Sequence, residues 1–159
     1  VQLFWGEPLA AVADRIDTLR SLQVDVGRVH RPLAFGLRVT TVVRDTTEEA
    51  WAVARARVAA MALSPTSSGG WAEAVGQQRL RRLADRSEVV DEYLYTAPAL
   101  AGGIGAGASW LVGSPDDVAG ALCRYADLGI STFILSDTPY RDEITRQGSD
   151  LLPLLRGLR

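Results

Sequence analysis

Lysine is missing altogether: the chain carries 17 basic residues and every one is arginine. They are scattered, whereas arginines that grip phosphate cluster, so we read the bias as compositional. Net charge is -2, which gives no footprint for nucleic acid and none for an anionic membrane surface. The single cysteine, Cys123, excludes a disulfide within the chain and fits a reducing, cytoplasmic setting. It sits beside an inward Leu122 on a helix pattern and reads as a packing residue. No apolar run approaches the ~20 residues of a membrane span, so no membrane partner is expected. Residues 1–5 are too short, and too poor in basic residues, for a signal peptide. The one histidine, His30, follows a loop-like Gly27-Arg28-Val29 and reads as a surface residue. Neither it nor Cys123 has metal-ligand spacing, and no metal is expected.

What is present is alternation. The chain has 159 residues, 47% of them hydrophobic and 23% charged, enough for one soluble domain with a real core. Residues 2–5 read as a short buried strand. Glu7-Pro8 opens a helix, with proline in its first turn, and Val12, Ile16, Leu19 and Gln23 follow helical spacing. Residues 34–43 are β-branched and apolar and read as a second strand. Thr46 with Glu49 makes a capping box for a helix reaching about residue 63. Residues 64–70 are a break, and a further helix spans about 71–85. The stretch 89–107 resists assignment, and its glycine- and alanine-rich end suggests a mobile loop. A third strand covers 109–112. Ser114 caps the next helix, Pro115 takes its first position, Val118, Leu122, Tyr125 and Leu128 line it, and Gly129 ends it. A fourth strand at 132–135 precedes a final helix over 141–155 with Ile144, Leu151 and Leu155 inward.

These are four strand–helix units with an insertion and mobile loop at about 64–108. Such alternation implies a parallel sheet with right-handed crossovers. A small doubly wound sheet or half of a (β/α)8 barrel would fit; a full barrel needs about 250 residues. The start at Val1, straight into a strand, suggests a piece of a longer chain.

Four segments then carry a resemblance. They are Phe4-Trp5-Gly6-Glu7-Pro8; the run from Phe35-Gly36-Leu37-Arg38-Val39-Thr40 to Thr46; Leu111-Val112-Gly113-Ser114-Pro115; and Tyr125-Ala126-Asp127-Leu128-Gly129 through Ser136. In order and spacing they resemble the last four βα units of luciferase-like flavin monooxygenases of the alkanesulfonate type. The resemblance implies that residues 1–159 are the C-terminal half of a partial TIM barrel, with its site at the C-terminal strand ends. It implies reduced FMN, supplied by a separate flavin reductase, O2, and a small organic substrate, such as an alkanesulfonate cleaved to aldehyde and sulfite. A related branch uses the deazaflavin F420 for hydride transfer.

Arg38, in a strand, stands where the family has an arginine near flavin and sulfonate. A guanidinium there binds an anionic oxygen bidentately and stabilises developing negative charge; the structural alternative is an ion pair with Asp45 or Glu7. Thr40 replaces a histidine, so it can donate a hydrogen bond but cannot act as a base. These two are the catalytic candidates. Trp5 and Ser136 are the cofactor-binding candidates. Glu7, Asp137 and Thr138, at strand ends, are the substrate-binding candidates. Asp137 and Thr138 stand where the family has glycine and tyrosine, and Asp137 would disfavour a sulfonate unless it pairs with Arg38. The glycines at 102–107 resemble an active-site lid, with Ile104 in place of its arginine. Acids at Asp116 and Asp117 suit a helix start but repel phosphate, and the family's phosphate contacts fall upstream of residue 1. The missing histidine, tyrosine and lid arginine leave open a non-catalytic half-barrel that pairs with another copy or with a separate N-terminal half.

Overall fold

The hub of the sheet is β2, Phe35–Val43, whose β-branched and apolar residues suit a strand covered along one face and, towards its C-terminal end, on the other as well. The computed structural model describes residues 1–63, 74–101 and 108–157. Around β2 lie β1 (Gln2–Trp5), β3 (Val89–Val90), β4 (Leu94–Tyr95), β5 (Trp110–Gly113) and β6 (Ile130–Ser136). The helices are α1 (Leu9–Asp25), α2 (Thr47–Leu63), α3 (Val75–Ala84), α4 (Pro98–Ala101), α5 (Pro115–Asp127), α6 (Tyr140–Arg146) and α7 (Leu152–Gly157), with a π turn at Gln147–Leu151. None of the described helices is long and apolar enough to cross a membrane.

The four expected strands are all parallel to one another. β1 pairs with the first half of β2, from Gln2↔Phe35 to Trp5↔Arg38. β5 pairs with the second half, from Thr40↔Trp110 to Val43↔Gly113. β6 runs beside the first half, from Phe35↔Ile130 to Thr40↔Ser136. The amide of Gly6 bonds the Arg38 carbonyl, and the amide of Arg44 bonds the Gly113 carbonyl. Positions 38 and 44 share a parity, so their backbone groups point to the same side of β2. β1 and β5 therefore lie end to end along one side, where Ser109 Oγ donates to the Gly6 carbonyl. β6 occupies the other side.

This order decides which face each helix covers. The step from β1 to β2 runs one way across the sheet, the step from β2 to β5 runs back, and the step to β6 runs forward again. Right-handed crossovers then place α1 and α5 on one face and α2 on the other. The packing agrees. Phe4, Phe35, Leu37, Val39, Val43 and Leu111 form one core with Val12 and Ile16 of α1 and Val118, Leu122 and Tyr125 of α5. Val42, Trp110 and Val112 form a second with Ala50 and Ala54 of α2 and with Tyr95.

Two segments differ from expectation. Residues 89–95 form an antiparallel hairpin, with Val90↔Leu94 inside it and Leu94↔Leu111 joining it to β5. Strands of two residues leave no periodicity to read, and the turn puts Asp91 and Glu92 at φ 50 and 70, unusual for non-glycine residues. The final helix is broken by the π turn, which resets its inward face. Ile144, expected inside, is 59% exposed, while Glu143, Gln147 and Leu151 are buried. Gln147 Nε2 donates to Thr41 Oγ1 at 2.9 Å. The glycine run at 102–107 lies outside the described residues.

Candidate functional site

Strand alternation brings four of the expected site residues onto one face. Register joins Trp5 to Arg38 and Thr40 to Ser136, and residues two apart on a strand share a face. This is the face opposite α1 and α5. The Arg38 guanidinium carbon lies 5.1 Å from the Trp5 ring centroid, a cation–π contact. Arg38 pairs with neither Asp45 nor Glu7, and its side of the sheet is open: Arg38 and Thr132 are exposed, and so are Leu3 at 45% and Ile134 at 41%. Trp5 is half-covered, and a Cβ on Gly76 of α3 would sit 3.4 Å from its ring.

Glu7, at the end of β1, is buried and committed. Its Oε2 bonds Arg15, Arg79 lies 3.6 Å from Oε1, and its backbone carbonyl accepts from the Tyr125 hydroxyl at 2.6 Å. Burial drives the Tyr125 phenol far above its usual range, so it remains a donor. Asp137, at the end of β6, is also buried. Its partner is Arg57 of α2, which donates to both carboxylate oxygens at 2.7 and 2.9 Å, and not Arg38. Arg57 also donates to Glu143 Oε1 at 2.8 Å. Arg44 grips Glu143 with bonds of 3.0 and 2.8 Å. Burial raises the Asp137 carboxyl above the usual range despite Arg57. Burial pushes Glu143 the same way, but the bonds from Arg44 and Arg57 outweigh it and hold Glu143 below its usual range. Thr138 is exposed, and its amide bonds Asp137 Oδ1 at 2.7 Å. Sequence reasoning missed Arg44, Arg57 and Glu143 because arginines spread along the chain carry no spacing signal.

Of the helix N-termini at the strand ends, those of α1 and α5 are occupied by carboxylates. Asp91 Oδ2 accepts from the Leu9 amide at 2.7 Å. Ser114 and Asp117 close a full capping box on α5. Burial would raise the Asp117 carboxyl, yet bonds from Thr47 and Ser114 hold it below the usual range. Phosphate would meet a carboxylate at each of these two termini. The donor set of Arg38, Thr40 and Ser136 beside the Trp5 ring instead suits the polar edge of a flat heteroaromatic ring. Among the described residues no group of three His, Cys, Asp or Glu is placed to hold a metal.

The sequence profile of the luciferase-like monooxygenases matches residues 1–132. The chain belongs to that family. The fold is similar to that of riboflavin lyase (RcaE), whose crystal structure was solved with modified FMN and its substrate riboflavin. The TM-score is 0.64 at 20% identity, covering 98% of this chain and 38% of that one. The architecture is thus that of a partial (β/α)8 barrel of the luciferase-like type, departing from it in one respect: β5 lies on the β1 side of β2, so α2 covers the face that a closed barrel turns inward. The chain spans little more than a third of that enzyme's length.

Proposed function

We propose that this chain is the C-terminal part of a reduced-FMN-dependent monooxygenase that oxidises a small organic substrate, with an alkanesulfonate as the type substrate. One observation supports the reading most directly: Trp5, Arg38, Thr40 and Ser136 share a single sheet face in a member of the luciferase-like family. When bound, reduced FMN supplies the electrons that activate O2; a separate reductase delivers it. Trp5 packs against the ring, and Ser136 hydrogen-bonds its polar edge. Arg38 holds an anionic oxygen with two parallel bonds, and Thr40 donates a further one. Asp137 and Thr138 border the substrate from the end of β6, and Glu7, held by Arg15 and faced by Arg79, fixes the end of β1 beside it. The charge of Asp137 is engaged by Arg57, which lessens its repulsion of an anionic substrate.

The test is full-length parent enzyme with reduced FMN and O2. Sulfite release from an alkanesulfonate is expected, with a loss of about a hundredfold in Arg38→Ala. Turnover with reduced F420 and no O2 uptake would move the protein to the deazaflavin branch. The 159-residue chain alone is expected to bind FMN poorly, because the family's phosphate contacts fall upstream of residue 1 and Asp91 and Asp117 fill the N-termini of α1 and α5; micromolar affinity would contradict this. Those same occupied termini favour a second reading, a non-catalytic half-barrel acting through the outer edges of β1 and β6. Sedimentation showing only monomer, alone and with an N-terminal barrel half, would dismiss it.

A further inference from the structure

One oxygen at the end of β1 has nothing to bond. Glu7 is 4% exposed, and its Oε1 has no hydrogen-bond partner. A buried carboxylate oxygen normally has one. The nearest cation is Arg79 of α3, whose guanidinium nitrogen stands 3.6 Å away, beyond hydrogen-bond reach. The charge of Glu7 is already met by Arg15, which bonds Oε2. Arg79 therefore adds a positive charge that this carboxylate does not need, on a side chain 44% exposed. Helical spacing ties it to the same strand end. Leu80 is the buried residue of α3, and Gly76, one turn earlier, abuts Trp5: a Cβ there would sit 3.4 Å from Cδ1 and Nε1 of the indole. Arg79, three residues on from Gly76, shares that side of the helix. The face of the same indole carries Arg38, at 5.1 Å. Two guanidinium groups, one from β2 and one from α3, thus meet at the end of β1, and among the described residues neither donates to a carboxylate.

We propose that Arg79 is a specificity-determining residue: together with Arg38 it holds the singly charged group of a sulfonate- or carboxylate-bearing substrate, and Glu7 is its resting partner while no anion is bound. The inference rests on the reading of the site given above and adds to it a residue from outside the parallel strands. The exchange is cheap. Glu7 keeps its bond to Arg15, so releasing Arg79 breaks no hydrogen bond, and Arg79 trades a 3.6 Å ion pair for a charge-assisted, forked one. The charges nearby also set the class of anion. Glu7 and Asp91, whose Oδ2 caps α1 at the Leu9 amide, place two carboxylates beside the same strand end. A dianion such as phosphate meets twice the repulsion there that a monoanion meets.

The probe is 1-pentanesulfonate, with 1-pentanol as its neutral counterpart and inorganic phosphate as the dianion. Each is titrated against the 159-residue chain while the arginine Nε–Hε signals are followed by NMR. Pentanesulfonate is expected to shift the signals of Arg79 and Arg38. Pentanol is expected to shift neither, and phosphate to bind more weakly than pentanesulfonate. Arg79→Gln is expected to weaken pentanesulfonate about tenfold and to leave the melting temperature nearly unchanged, because no hydrogen bond to Glu7 is lost. Arg79→Lys keeps the charge without the fork and restores part of the affinity. Arg82→Gln, at an exposed position three residues on, is expected to bind as the wild type does. In the full-length parent, Arg79→Gln is expected to raise KM for an alkanesulfonate about tenfold with a smaller change in kcat. The proposal fails if pentanesulfonate leaves the Arg79 signal in place, or if pentanol or phosphate moves it as far. It fails too if Arg82→Gln weakens binding as much as Arg79→Gln, or if Arg79→Gln lowers the melting temperature by several degrees, which would make Arg79 a structural tie. The monooxygenase reading fails differently: the parent releases no sulfite although the Arg79 signal still moves. Sulfite release with an unaltered KM in Arg79→Gln would sink the role of Arg79 alone.

Discussion

α5 and α2 flank the same sheet from opposite sides and are held by different physics. α5 buries Val118, Ala119, Ala121, Leu122 and Tyr125 and begins with a complete capping box. α2 is longer; it fully buries two alanines, packs Trp51, Val53, Val58 and Met61 half-buried against the same core, and adds Arg57 reaching carboxylates on other elements. Apolar burial is short-ranged and indifferent to pH. A charged clasp is directional and responds to protonation. The hold of α5 on its face is therefore indifferent to pH, whereas part of the hold of α2 on the opposite face responds to it. That second face carries the candidate site.

The sharpest way to break this contrast is to weaken α5. Leu122 is fully buried, and Leu122→Ala leaves a cavity among the side chains of α1 and β2, at a cost of about 3 kcal/mol. For a chain of this size that lowers the melting temperature by roughly 10 °C. The loss should be global, with exchange rising in α1, α5 and the sheet together. A loss confined to α5 would mean that the two faces do not differ as argued.

Next in size is the clasp. Glu143→Gln removes the charge that receives Arg44 and part of the charge that receives Arg57, and should cost about 2 kcal/mol at pH 7. Its pH profile is the more telling readout. Glu143 has a depressed folded-state pKa, so its stabilisation is complete above the ordinary glutamate value of about 4.3 and is lost as pH falls through the lower folded value. Asp137 is raised and works the other way: what it contributes is lost as pH rises through its folded value. The wild type should therefore lose stability in acid mainly through Glu143, and Glu143→Gln should flatten that limb. Chemical denaturation from about pH 6 to pH 3 measures both. An unchanged acid limb would show that Glu143 is not the titrating group.

The difference between the two helices also explains what could be read in the sequence. α5 was legible from end to end: Ser114, Pro115, the spacing from Val118 to Tyr125, and Gly129, whose φ of 105 suits a residue without a side chain. The alternation gave the parallel βα units, and Arg38 and Thr40 fall within the strand read at 34–43. The face covered by α2 was not legible. It depends on β5 returning to the β1 side of β2, a choice of strand order that no local pattern encodes. Nor was the pairing of Asp137. Its partner lies 80 residues away, and an arginine on an alanine-rich helix looks like any exposed charge. Glu143 and Gln147 were hidden for a third reason: a π turn shifts the inward face, so spacing based on a regular helix pointed to Ile144.

The smallest effect concerns the two N-caps. Ser114 accepts from the Asp117 amide at 3.2 Å, and Asp117 Oδ2 accepts from the Ser114 amide at 3.1 Å. Asp117 is also bonded by Thr47, the first residue of α2. Ser114→Ala removes one bond and loosens a carboxylate that reaches both helices, so about 1 kcal/mol is expected. Thr46 caps α2 through one exposed bond, from the Glu49 amide at 3.2 Å. Water replaces that bond readily, and Thr46→Ala should cost about half as much, at the low end for caps. The order matters more than either value. Thr46→Ala should raise exchange only in the first turn of α2, whereas Ser114→Ala should raise it at the starts of both helices, because Asp117 joins them. If Thr46→Ala costs as much as Ser114→Ala, α2 is fastened at its start as firmly as α5, and the contrast between the two helices does not extend to their caps.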